Sequence, residues 1–127
     1  MRYLIKILVL NVILVAAFGC QKNEVQECII GRVIGWMECI SLNVIKIEDG
    51  SLKGDSITWN GISYDNVVQS CGGRIQDSII YFNYRLFDLA RDTFLQNVCP
   101  ANVGPLAVPL IIITDFSSQS CPKNYEN

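Results

Sequence analysis

No pair of residues constrains the fold of this 127-residue chain more than Asn60-Gly61. A two-residue hairpin loop of type I′ needs positive φ at both positions, and asparagine followed by glycine supplies them at least steric cost. Ser56-Ile57-Thr58-Trp59 leads into the pair and Ile62-Ser63-Tyr64 leads out. Both flanks are rich in β-branched and aromatic residues, so two antiparallel strands are predicted here.

The rest of the chain continues in short β-like runs. Residues 28–37 are β-branched and broken by Gly31 and Gly35; glycine inside a strand marks a bulge or a close backbone approach. Ile40-Ser41-Leu42-Asn43-Val44 alternates apolar with polar and continues through Ile45-Lys46-Ile47, until Glu48-Asp49-Gly50-Ser51 is expected to turn the chain. These two strands are expected to pair. After Asn66-Val67-Val68 a polar stretch with Cys71-Gly72-Gly73 reads as a connection. The clearest alternation lies in 78–88, with Ile80, Phe82, Tyr84 and Leu86 on one face and Tyr81, Asn83 and Arg85 on the other. One face is expected to be core and the other wetter.

Residues 88–98 offer the one helical turn, with a longer strand and loop as the alternative. Pro100, Gly104 and Pro105 mark a loop, and Pro109 opens a last strand, Leu110-Ile111-Ile112-Ile113, whose continuous apolar run suits burial on both faces. Five to six short strands with hairpin connections predict an all-β fold, a small antiparallel barrel, with a β-meander or sandwich as the alternative.

The N-terminus reads as an address. Arg2 and Lys6 precede an apolar run, 7–18, interrupted only by Asn11. This is the layout of an export signal and is shorter than the about 20 residues a membrane-spanning helix needs. The run ends in Ala16-Ala17-Phe18-Gly19-Cys20, which resembles the lipobox of bacterial lipoproteins, with Ala17 where that family prefers leucine and Phe18 where it prefers a small residue. The resemblance implies a signal peptide over 1–19, lipid on Cys20, a tether over 20–27, a domain over 28–121 and a polar tail over 122–127. A lipid anchor of several acyl chains would hold the protein on a membrane without spanning it. Gln21-Lys22-Asn23-Glu24 looks like the export tag of surface-exposed Bacteroidota lipoproteins, or reads as a plain polar tether.

Export implies an oxidising compartment, so Cys28, Cys39, Cys71, Cys99 and Cys121 are expected to form two disulfides and leave one thiol. Position favours Cys28 with Cys121, and Cys39 with Cys71 or Cys99. No C-x-x-C pair suggests a redox motif or a zinc site.

From Cys28 to Cys121 the chain resembles the small OB-fold-like lipoproteins of the Bacteroidota. The similarity rests on a cysteine opening a glycine-containing strand (Cys28, Gly31, Gly35), Cys39 before the second strand, Tyr64-Asp65-Asn66-Val67-Val68, the aromatic strand Ile79-Ile80-Tyr81-Phe82-Asn83-Tyr84, and a last strand closing near Cys121. It implies a five-stranded barrel and no particular activity. The long stretch between the last two strands departs from the compact form.

For function the sequence mostly excludes. There is no histidine, which removes Ser-His-Asp and Cys-His hydrolysis and histidine-ligated metals. No phosphate-binding glycine loop or nucleophile elbow is present. Glu48-Asp49 and Asp88 with Asp92 were weighed as the two carboxylates of a glycosidase and read instead as a turn and a solvated face. No catalytic residue, metal ligand or cofactor is expected. Without the leader, eight Lys and Arg face twelve Asp and Glu, and the dispersed positives argue against nucleic acid as a partner.

Trp36, Trp59 and Tyr81 are candidates for an aromatic binding platform, with core filling as the competing role. Tyr81, Asn83 and Arg85 together are the first choice of surface. The sequence therefore points to a non-catalytic binding or accessory module in the bacterial cell envelope, lipid-anchored in the outer membrane, with an envelope protein or glycan as partner. The alternatives are a surface lipoprotein that binds or inhibits an external protein, and, last, an enzyme.

Overall fold

The structure, a computed structural model, describes residues 27–93, 99–100 and 103–122. The expected leader, Cys20 and nearly all of the tether lie outside the described residues, as do 94–98 of the expected helical turn, 101–102 of the expected loop and 123–127 of the tail.

Six strands carry the fold: β1 (Ile29–Met37), β2 (Leu42–Asp49), β3 (Asp55–Trp59), β4 (Ile62–Cys71), β5 (Ile79–Leu86) and β6 (Leu110–Ser117). Asn60 and Gly61 have φ of 49° and 80°, the two positive values a type I′ turn demands, and Trp59 pairs with Ile62 across them. β1 and β2 pair as expected. Their connection is a single 3-10 turn, Glu38–Ile40.

Several boundaries differ from the sequence reading. β2 runs on to Asp49, because Glu48 binds Lys46 and Arg32 across the sheet surface and the turn begins only at Gly50. β4 runs to Cys71, since the polar groups of its last residues are satisfied in place. β6 extends to Ser117, with Ile111 buried and residues 114–116 exposed, so its apolar half alone is covered. At 88–92 the amides of Arg91 and Asp92 both donate to the Asp88 carbonyl, a single turn.

Sheet order is β2-β1-β5-β6-β4-β3, and an added β2–β4 pairing closes β1, β2, β4, β6 and β5 into a ring with β3 outside it. Three of the six pairings, β1–β5, β4–β6 and β2–β4, join strands that do not follow one another in sequence, so the meander alternative does not hold. The all-β ring of five strands is as expected, but it is not antiparallel throughout: β4 and β6 are parallel, Gln69 against Leu110 through Cys71 against Ile112. Parallel strands need a long crossover, and β5 with the connection after it provides one. Nor is the ring regular. β1 pairs with β5 only over Ile29 to Arg32, although β1 continues to Met37.

Inside the ring lies one cluster: Ile29, Ile45, Ile47, Leu52, Val68, Ile80, Phe82 and Ile111, with Val33, Ile75, Tyr84 and Ile113 packed against it. Strand alternation puts these residues on the inner face. Leu52 follows the β2 end that pairs with the start of β1. Ile75 is held by Asn43, whose amide donates to the Gly73 carbonyl and accepts from the Ile75 amide, and Asn43 pairs with Trp36 near the other end of β1. The two ends of the ring are thus stopped by loop residues.

The outer face is buried as well, and by different means. Leu42, Val44, Val67 and Gln69 alternate with the inner residues and are fully buried. At Gln69 the β5–β6 connection packs against this face. The Gln69 side chain donates to the carbonyls of Leu106 and Val108 and accepts from the Leu106 amide, and its backbone amide donates to the Pro109 carbonyl. Cys99 fastens the same connection to Cys39. Farther along, the outer face carries the charged ladder Arg32–Glu48–Lys46–Asp65. The second disulfide joins Cys28 to Cys121, and Cys71 is the free cysteine among the described residues.

Candidate binding groove

Where β1 outruns β5, the ring opens. A groove of about 260 Å³ lies there, with Val33, Ile34, Gly35 and Trp36 on one wall and Arg74, Ile75, Gln76, Asp77 and Ser78 on the other. The Val33 amide donates to the Ser78 carbonyl at 2.9 Å, the last main-chain bond before the walls part.

The β1 wall keeps its strand shape without a partner on this side, for two reasons. Its other edge is paired, Gly35 with Val44 and Trp36 with Asn43. And Trp59 packs on it: between Val33 and Gly35 the register with β2 shifts by one residue, which aims Gly35 at the outer face, and there the indole of Trp59 fills the place a side chain would take. A bulge re-aims the residue after it, and glycine is what allows the ring to lie on the backbone.

The opposite wall is set by Asn43, through its bonds to Gly73 and Ile75. Beyond Ile75 the residues are exposed. Arg32, Arg85 and Arg91 are each ion-paired. Arg74 and Asp77, by contrast, carry no ion pair or hydrogen bond among the described residues. The groove thus combines a half-buried indole, an apolar floor, a free guanidinium, a free carboxylate and the polar ends of Gln76 and Ser78. Such a set offers stacking, charge and hydrogen bonding to a ligand; among the described residues that line it, no acid and base share a hydrogen bond.

The sequence candidates fall in different places. Trp36 lines the groove. Trp59 does not: it fills space over Gly35, and its Nε1 is buried without a hydrogen-bond partner. Tyr81 is half-buried, opposite Ile30 and Ser117. Asn83, expected on the wetter face, is 3% exposed, because this face of β5 is covered. Arg85 reaches back to the turn at 88–92 and binds Asp92 through two hydrogen bonds of 2.7 and 2.6 Å. Tyr81, Asn83 and Arg85 therefore share a strand face without forming an open platform.

Asp92 is no solvated carboxylate. Its side chain is 10% exposed, and besides Arg85 it accepts from the Asp88 amide at 2.8 Å. The Arg85 guanidinium, then that amide, hold its carboxyl well below the usual carboxylate range. Glu48 is lowered as well, chiefly by its hydrogen bond from Lys46. Burial, then the negative charge of Asp92, pushes the Cys71 thiol up, which keeps it protonated and a weak nucleophile at neutral pH.

The sequence marked Trp36 and the glycine at 35; it gave no sign of Arg74, Gln76 or Asp77, which sit in a polar connection like any other. A wider depression of about 450 Å³ lies on the β3–β4 hairpin, lined by Ser56, Ile57, Thr58, Ser63, Tyr64 and Asp65. One ribbon forms it, so it lacks a second wall. Among the described residues no group of three His, Cys, Asp or Glu side chains is placed to hold a metal ion, and no helix is long and apolar enough to cross a membrane. Compared with known proteins, the chain matches no family model, no curated protein and no solved structure.

Proposed function

We propose that this chain is a lipid-anchored lipoprotein of the bacterial cell envelope whose β-domain is a non-catalytic binding or accessory module, with the groove between β1 and residues 74–78 as its binding site. One observation carries the reading. The groove gathers an aromatic side chain and charges of both signs that have no ion pair among the described residues, at a seam where β1 outruns its partner β5. Aromatic and arginine side chains dominate the energetics of recognition surfaces. The anchor is supported by the basic n-region, the short apolar run and the lipobox-like Ala17-Phe18-Gly19-Cys20.

The test is a photo-crosslinking residue at Gln76 in intact cells, followed by capture of the tagged chain. A reproducible envelope partner, lost in Trp36→Ala, is the expected result; no adduct from an abundant protein would remove the module reading. The anchor is tested separately by Cys20→Ser, which should shift the protein out of the membrane fraction.

A further inference from the structure

We infer that the groove takes an extended peptide segment of a partner protein, added as a strand to the open edge of β1 and bearing a carboxylate that meets Arg74. This rests on the reading of the groove as the binding site.

The chief reason is the edge itself. β5 pairs with Ile29 to Arg32 and the Ser78 carbonyl takes the Val33 amide, after which residues 34–37 of β1 have no strand on that side. An unpaired edge presents main-chain donors and acceptors in strand register, the template used in recognition by strand addition. Proteins blunt such edges with lysine, proline or a covering element. Here Ile34, Gly35 and Trp36 include neither lysine nor proline; the bulge at Ile34 bends the edge locally without covering it, and what faces it is a groove.

The edge is also held ready. β2 pairs its far side and Trp59 presses on Gly35, so docking would order little of this protein, and preorganisation raises affinity. Size points the same way. About 260 Å³ falls below the roughly 300–1,000 Å³ of pockets that enclose small molecules, and suits a length of chain held mainly through its backbone. Trp36 and the Val33–Ile75 floor would cover alternate side chains of the incoming strand. Arg74, the one arginine among the described residues without an ion pair, selects a carboxylate.

The test uses the full mature chain extracted in detergent and a phage-displayed library of random twelve-residue peptides. Enriched peptides should alternate apolar with polar and carry an acidic residue. Synthetic copies should lose about tenfold in affinity against Arg74→Glu, and should be abolished by N-methylation at one set of alternate backbone positions but not at the other. Amides of Ile34 to Trp36 should gain protection from hydrogen exchange. Binding that is indifferent to N-methylation, or that protects amides elsewhere, overturns the strand-addition inference and leaves the module reading standing. So does a Trp36-dependent signal on an oligosaccharide array with no peptide enriched. Absence of any binder together with absence of a cellular crosslink removes both.

Discussion

Both faces of the paired strands β2 and β4 are buried over part of their length, and by different means. Inside the ring, Ile45 and Ile47 meet Phe82, Ile80 and Ile111 in apolar packing from five strands and two loops. Outside, Gln69 is met by Leu106 and Val108 of the β5–β6 connection, which that one glutamine and the Cys39–Cys99 disulfide hold in place. The first arrangement needs only apolar side chains of the right size. The second needs particular groups at particular points, because an irregular covering segment brings backbone amides and carbonyls that must all be satisfied.

The difference can be broken or sharpened by experiment. The largest effect is expected for Phe82→Ala, which empties the centre of the inner cluster and should cost about 3–5 kcal/mol, read from urea unfolding as loss of the whole domain in one transition. Next is the pair Cys39→Ser with Cys99→Ser, whose removal should cost about 3–4 kcal/mol. Hydrogen exchange would then quicken in 103–108 while Ile80 and Phe82 stay protected; equal loss in both places would show a single cooperative unit and dissolve the distinction. Gln69→Leu keeps the bulk but strands the Leu106 amide and two carbonyls, for a loss of about 2–3 kcal/mol confined to the covering connection. Gly61→Ala, with φ at 80°, should cost about 1 kcal/mol and act on the hairpin alone.

The smallest expected effect is one of pH. Asp92 has a depressed pKa in the folded protein, so its contribution is fully present above its unfolded value of about 3.9 and fades as pH falls toward the folded one. The gap in urea midpoint between the native chain and Asp92→Asn should be constant from neutral pH to about 5 and shrink only in stronger acid. A gap that closes already near neutrality would contradict the Arg85–Asp92 pairing.

The same contrast explains what was legible in the sequence. Inner packing repeats with a period of two, so β5 could be read from alternation; β1 was legible from its β-branched residues, β2 from an alternation whose apolar members Leu42 and Val44 face outward, and the Asn60-Gly61 turn from its φ requirement. Even Cys28 with Cys121 follows from a need to tie the ends, and Cys39 proved to join Cys99 from the two partners considered. The outer layer has no period. Gln69 looks like a surface residue and is buried because distant groups of the β5–β6 connection happen to meet it. Asn83, also read as exposed, is buried. Gly35 announced a close approach without naming the indole that makes it. The groove was the least legible part, since it exists where pairing stops, and a strand's sequence does not say where its neighbour ends.

The bridge between Cys28 and Cys121 has a mechanical consequence. It closes a loop across a sequence separation of 93, with the two Cα atoms 5.7 Å apart, so both chain ends leave the domain at one point. A pull between whatever lies before Cys28 and whatever lies after Cys121 is borne by a few covalent bonds and never reaches the strands. The domain hangs beside the line of force like a charm on a chain, and tension that would peel a sheet open from its ends leaves this one unloaded.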